Sequence, residues 1–384
     1  MAMNDRQRFL ETMSFGSPDR IPYWDFGMLP GTLERWHAEG FPADATINGL
    51  FKLDDRRKID VDFTMVPKFE IEILSEDAEF QIFRDQFGIE QRKQKANLPG
   101  MPEFLEHPIK NRRDFQKMKE RYNPASRERY PQDLQAFVKE NGKNRDFTLY
   151  LQEFRHVGFF GPMRNWLGLE CLLFAIIEQP AWIEEMTDFI ADYIIGIREN
   201  IPAEIEIDYV TFFEDIGYKT STLISPKMFK QFMSERYRRV ADCFRKYGTE
   251  CFFADSDGYN DSLIPLWMES GVHGFSPMEV QAEGSGPVEL RNKYPGLLLY
   301  GGMDKRALAK DRQAVYDDVM SKVPFMIESG GFIPTMDHQV PPDASFENYC
   351  FYWDLLKSVA EDQKKPDPNN WKLKDFLAQN SMAE

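Results

Sequence analysis

Glu250-Cys251-Phe252-Phe253-Ala254-Asp255-Ser256-Asp257-Gly258 is an apolar run that stops in two acids and a glycine. A run of about four to eight apolar residues closed by a turn signal predicts a strand covered on both faces, as in parallel sheets. Acids at i and i+2 where such a strand ends converge on the rim of the sheet, where parallel α/β folds bind ligands. The same pair also suits an Asx turn that caps the next helix. Other strands in the chain end in the same way, and that favours the ligand rim.

Working outward, apolar segments at 147–153, 209–215, 272–279, 297–304 and 331–338 also close in acids. Extended segments at 21–27 and 62–66 precede them, and amphipathic helical stretches separate the later ones. Ser225 and Pro226 open one of these helices with a capping side chain and a preset first turn. Eight strands alternating with helices predict an α/β fold, a (β/α)8 TIM barrel, with a doubly wound sheet as the rival. Residues 68–95 alternate with period two and predict a half-exposed antiparallel excursion. It lies within an insertion at 68–145 between early strands, so 1–384 reads as one elaborated barrel domain with an N-terminal extension.

The net charge of −16 disfavours nucleic acid and anionic membranes as partners, because both need a basic surface. Four cysteines without CxxC spacing, and no apolar run long enough to span a bilayer, predict a soluble, cytoplasmic protein with reduced thiols.

If the sheet closes as expected, its mouth collects Asp25, Glu153, Glu214 with Asp215, Asp255 with Asp257, Glu279, Asp304, and Asp337 with His338. So many carboxylates repel one another unless they share a proton or a cation. The pattern points to general acid/base work or to a metal, and it rejects polyanions. His338 follows an acid at a strand end and is the best-placed histidine. His156, just beyond Glu153, is a second candidate for the cavity. Tyr23, Trp24, Phe26, Phe159, Phe160 and Trp166 are candidates to sandwich a flat ring, or else ordinary packing.

An ordered set of motifs resembles the uroporphyrinogen decarboxylase superfamily. It comprises Ser17-Pro18-Asp19-Arg20-Ile21-Pro22-Tyr23-Trp24, Ser225-Pro226, Asp255-Ser256-Asp257-Gly258, Pro277-Met278-Glu279, Gly301-Gly302 with Asp304, and Asp337-His338 with Val340-Pro341-Pro342. The resemblance implies a single TIM barrel and either decarboxylation or methyl transfer. The decarboxylases follow the Trp24 position with Met-Arg-Gln-Ala-Gly-Arg, whose arginines hold porphyrinogen carboxylates. This chain has Asp25-Phe26-Gly27-Met28-Leu29-Pro30 there, which disfavours that substrate. The thiol-alkylating methyltransferases carry His-x-Cys where Asp255 and Asp257 stand, so thiol chemistry is also disfavoured.

The remaining branch resembles corrinoid-dependent enzymes that remove O-methyl groups from methoxylated aromatic compounds. It implies a corrinoid (cobalamin) carried by a separate corrinoid protein and a small methoxylated aromatic substrate. On this reading Asp257, His338 and Glu214 are catalytic, and Tyr23, Trp24, Asp25, Glu153 and His156 bind substrate. Asp255, Asp257 and His338 form the candidate set for zinc or another divalent ion. Transfer from methyl-corrinoid to a folate or other acceptor, and a non-catalytic binding barrel, stay open as alternatives.

Overall fold

A computed structural model describes residues 2–95, 102–282 and 284–380. Its centre is a seven-stranded parallel sheet. The strands are β1 (Arg56–Lys58), β6 (Thr148–Gln152), β7 (Tyr209–Phe213), β8 (Cys251–Asp255), β9 (Gly274–Met278), β10 (Leu298–Met303) and β11 (Phe332–Met336). They are hydrogen-bonded in chain order, β1-β6-β7-β8-β9-β10-β11. Every residue of β8, β9, β10 and β11 is buried. Full burial is why these segments read as continuous apolar runs and not as alternating ones.

The register fixes the rim. Tyr150 lies opposite Tyr209 and Phe213 opposite Asp255, so the residues just past β6, β7 and β8 share one level. Helices follow most strands, including Phe160–Leu167 after β6, Pro226–Arg245 after β7 and Arg312–Ser329 after β10. The second of these runs through a one-turn π segment at Lys230–Ser234. Ser225 accepts the Met228 N–H at 3.2 Å, so the predicted cap and the Pro226 start are both in place.

Two expectations change. Residues 62–66 form no strand; the early strand is β1, which pairs with β6 through Arg56, Arg57 and Lys58. The segment at 21–27 is extended but not laddered. It is held by the Asp54 N–H to the Tyr23 carbonyl at 2.9 Å and by a single parallel bridge from Met28 to Val340. Seven strands therefore share the ladder.

The antiparallel excursion is present as a four-stranded sheet: β2 (Glu72–Glu76), β3 (Phe80–Arg84), β4 (Glu90–Gln94) and β5 (Glu103–Glu106). Residues 96–101 of the expected 68–145 insertion lie outside the described residues. Phe87, in the loop between β3 and β4, packs on the His156 ring at 4.9 Å between centroids and ties the excursion to the parallel sheet. Among the described residues no helix is long and apolar enough to cross a membrane.

One aromatic cluster matters for the site. Phe9, Trp24, Tyr209, Phe253 and Tyr300 pack together with Tyr150 against them. Helix Asp5–Met13 supplies Phe9, which stacks on Trp24 at 5.2 Å. Asn4 caps that helix in a capping box with Gln7. The sheet interior is thus filled with rings below the rim.

Candidate active site

Above that aromatic layer opens a cavity of about 330 Å³. Its walls include Phe26, Arg56, Tyr150, Gln152, Phe154, Phe213, Asp215, Asp255, Asp257, Pro277, His338 and Gln339. Such a volume suits one small organic ligand. Aromatic side chains form much of the wall. Tyr150 stacks on Tyr209 at 5.1 Å with the rings 5° from parallel, and Phe154 meets Phe213 edge-on at 5.6 Å. Phe26 sits 6.0 Å from the His338 ring.

Three carboxyls enter this cavity from the ends of β7 and β8. Asp255 is the last residue of β8 and is buried; Gln152 Nε2 donates to it at 3.3 Å. Its backbone carbonyl accepts the N–H groups of Glu214 at 2.8 Å and Asp215 at 3.2 Å, which locks the two strand ends together. Asp215 holds this place with φ of 49°, a left-handed conformation that non-glycine residues rarely adopt. The turn after Asp257 needs Gly258, with φ of 80°. A Cβ there would lie 2.7 Å from the Tyr218 carbonyl oxygen.

Crowding sets the protonation. Burial, then the neighbouring Asp215 and Asp257, drive Asp255 well above the ordinary carboxyl range. Asp257 is pushed up to about 7 by burial, then by Glu279, Asp215 and Asp337, with Lys305 opposing. Asp215 is raised by burial against the pull of Arg164 and of the Asp257 N–H. Asp25 is likewise raised by burial, opposed by Arg56. The cavity is therefore much less negative at neutral pH than its formal charge suggests. Asp257 Oδ1 is buried and lacks a hydrogen-bond partner, so one of its oxygens is free for a ligand. His338 is shifted down by burial and by Lys305, with Asp337, Glu279 and Asp215 opposing, so its imidazole is neutral at pH 7.

The other predicted residues lie elsewhere. Glu214 is fully buried and points away from the cavity. Its carboxylate accepts the N–H groups of Phe159 at 2.8 Å, Phe160 at 2.6 Å and Gly161 at 3.3 Å, and the Tyr237 hydroxyl. Those amides start helix Phe160–Leu167, where a carboxylate is favoured by the helix dipole. Glu153 turns outward to an ion pair with Lys58. His156 is buried beside Tyr122, with Nδ1 3.1 Å from its hydroxyl, and burial pushes its pKa down to about 3. It lies in a separate small pocket with Phe87 and Trp166.

Tyr23 donates to Glu361 at 2.8 Å and packs on Trp353, on the side of helix Phe346–Ala360. Trp24 belongs to the aromatic layer under the cavity. Asp25 presents its carbonyl, not its carboxyl, to Arg56 and to the Tyr300 hydroxyl. Of the expected ring sandwich, Phe26 lines the cavity, while Phe159, Phe160 and Trp166 are core residues. Asp337 is buried and held by the Lys305 N–H at 3.1 Å and Gln281 Nε2 at 3.1 Å. Asp304 is paired with Arg306.

The expected metal set does not assemble. Asp255, Asp257 and His338 share the cavity wall, but among the described residues no group of three or more His, Cys, Asp or Glu side chains converges as an ion would require. Of the thiols, Cys243, Cys251 and Cys350 are buried and Cys171 is exposed, and none is on the cavity wall. The residues present do not fit zinc.

Arg56, Tyr150, Gln152, Phe154 and Phe213 are cavity residues that the sequence reading missed. The signal for four of them is strand alternation: inward side chains on a strand ending at 152 or 213 include Tyr150, Gln152 and Phe213, and Phe154 follows at the rim. Arg56 lies on a strand of three charged residues, Arg56–Lys58, which carries no apolar signal, whereas the apolar run at 62–66 forms no strand.

No curated protein matches the sequence. Among solved structures, a methyltransferase from Methanosarcina mazei superposes with a TM-score of 0.57 at 13% identity, covering 94% of this chain and 99% of that one. At this identity the likeness concerns the fold, and it extends over nearly the whole of both chains. The sequence profile of uroporphyrinogen decarboxylase (URO-D) matches residues 168–359, from just past helix Phe160–Leu167 into helix Phe346–Ala360. That segment is half of the chain and holds β7 to β11 with both acids of the opening motif, so the protein belongs to the uroporphyrinogen decarboxylase family.

Proposed function

We propose that this protein is a methyltransferase that removes the O-methyl group of a small methoxylated aromatic compound and passes it to a corrinoid on a separate protein. The observation that carries this reading is the cavity itself, an aromatic-walled space into which a carboxyl with a pKa of about 7 projects an unpaired oxygen. We also take the sheet to close as an eight-position barrel within one domain, with 21–28 as the eighth segment between β11 and β1. The Met28 to Val340 bridge and the Tyr23 to Asp54 hydrogen bond support that closure.

An aryl methyl ether resists cleavage because phenoxide is a poor leaving group; protonating the oxygen as the methyl departs removes that obstacle. The Co(I) corrinoid, a co-substrate carried by the partner, supplies the nucleophile that takes the methyl group. Within this chain, Asp257 donates the proton to the ether oxygen. Burial and the neighbouring Glu279, Asp215 and Asp337 carboxyls keep Asp257 from losing its proton early. Asp255, held neutral by burial, adds a hydrogen-bond donor. His338, neutral and against Phe26, orients the ring oxygen by a hydrogen bond. Phe26, Phe154, Phe213 and Tyr150 hold the ring and exclude water. Glu214 positions helix Phe160–Leu167 and through it the wall behind Phe213, whose carbonyl lies directly against Gly158 and Gly161.

The test is anaerobic incubation of the protein with a reduced corrinoid protein and a panel of methoxylated aromatics. Substrate-dependent loss of the Co(I) absorption, with release of the matching phenol, is expected. Silence across a broad ether panel, with transfer from methyl-corrinoid to a folate instead, would replace this reading with the reverse reaction. Because no ion is assigned a role, dialysis against a chelator is expected to leave the rate unchanged. Loss of activity that added zinc restores would overturn the assignment of Asp257 as the acid.

A further inference from the structure

We infer that Arg56 binds a carboxylate of the substrate, so that the ligand enters the cavity anion first with its methoxyl group toward the acids. This rests on the function proposed above and adds the substrate class.

The warrant is the setting of Arg56. The guanidinium lies at the cavity floor, 4.9 Å from the centre of the Trp24 ring, 5.3 Å from Tyr300 and 5.7 Å from Tyr150. Its protein partners are neutral: the Asp25 carbonyl and, at 3.4 Å, the Tyr209 hydroxyl. Among the described residues no carboxylate comes within 4.0 Å of it. Arg129, Arg198 and Arg291 are also buried without an ion pair, but they spend their N–H groups on backbone carbonyls away from this cavity, whereas Arg56 is on its wall. The remaining inward arginines are matched by carboxylates. Arg145 pairs with Asp208 at 2.6 Å, and Arg8 pairs with Asp19 at 2.8 Å and Asp54 at 3.2 Å.

A cation withdrawn from water and left without a counter-ion is costly unless something supplies the charge. The aromatic faces do part of this through cation–π attraction. The planar fork of N–H donors is suited to a bidentate carboxylate, and the cavity is where one can arrive. The rest of the wall agrees in polarity. Asp215 and Asp257 sit at the strand ends, whereas Arg56 begins β1, so the cavity has acids toward the rim and a cation below. A ring carrying a carboxylate at one end and a methoxyl group at the other matches that axis. Asp25 is the nearest competing acid; it offers Arg56 its carbonyl, while burial holds its carboxyl toward the neutral form.

Calorimetry on the full-length protein with 3- and 4-methoxybenzoate, the corresponding methoxybenzamides, and unmethylated benzoate tests this without the corrinoid protein. The acids are expected to bind about 10- to 100-fold more tightly than the amides, the usual range for a charge-assisted contact. Arg56→Met should erase that preference, and Arg56→Lys should keep part of it, since a point charge lacks the fork. Equal affinity of acid and amide for the wild-type protein, no binding of either at millimolar concentration, or a preference that survives Arg56→Met would each overturn the inference. The wild-type comparison stands even if a variant fails to fold. If benzoates bind through Arg56 but no ether is cleaved, the carboxylate site stands and the demethylase reading falls. If acid and amide are demethylated with equal kcat/KM, the reverse holds.

Discussion

Asp257→Asn is expected to lower the rate of aryl ether cleavage by about 10²- to 10⁴-fold, the usual contribution of a positioned general acid, or roughly 3 to 5 kcal/mol of barrier. Asparagine keeps the shape of the side chain and its place before Gly258 but cannot give up a proton. The pH dependence supplies a second readout. Burial, Glu279, Asp215 and Asp337 raise Asp257 and Lys305 lowers it, leaving it near 7. An acid must be protonated to act, so the wild-type rate should hold below about pH 7 and fall as pH rises through that value. In Asp257→Asn the small residual rate should lack this limb. Asp255 is a poorer candidate although it is more strongly shifted, because an acid pushed well above the working pH parts with its proton reluctantly. A variant that kept the wild-type rate and limb would remove Asp257 from the chemistry. Substrates with a better leaving group, such as nitro-substituted phenyl ethers, should lose less in Asp257→Asn than unsubstituted ones do.

Much of the sheet was legible because parallel strands buried on both faces leave a direct mark in sequence. Cys251 to Asp255, Leu298 to Met303 and Phe332 to Met336 are apolar runs of strand length bounded by turns, and each is a strand. Arg56–Lys58 left no such mark. It is three residues long, charged, and a strand only because Arg56 reaches inward and its backbone finds β6. The antiparallel excursion was legible by its alternation.

The site divides along similar lines. Asp255 and Asp257 were found because a strand end puts its last side chains on the rim, and both lie there. Glu214 has the same position in sequence, yet its carboxylate turns back to the amides of the preceding loop. A one-residue difference in where a strand stops, or the left-handed φ at Asp215, decides which of two adjacent acids faces the cavity, and neither is encoded in composition. Tyr23 and Trp24 illustrate the same limit, since consecutive residues of an extended segment point to opposite sides.

Glu214→Ala is expected to be the most destabilising of the site substitutions, by about 3 to 5 kcal/mol at pH 5, because it leaves several buried donors unpaired at once. Three backbone N–H groups and the Tyr237 hydroxyl all end on this carboxyl, which has no exposure to solvent. Glu214→Gln should cost less, since its amide oxygen still accepts while its NH2 group meets donors. The sign of the pH effect follows from the raised pKa. Burial lifts Glu214 to about 7 from an ordinary 4.5, against the opposing hydrogen bonds, so the folded protein holds the proton more tightly than the unfolded chain does. Between those two values the native state binds more protons, and the stability that Glu214 contributes therefore grows on acidification. The loss in Glu214→Ala should be larger at pH 5 than at pH 8. Urea unfolding at both pH values reads this directly, provided the m-value is unchanged. A loss under 1 kcal/mol would mean that water or a rearranged Tyr237 replaces the carboxylate. The activity limb near pH 7 should not move in the folded Glu214→Gln protein. If it did, Glu214 and not Asp257 would be the group whose proton the reaction uses.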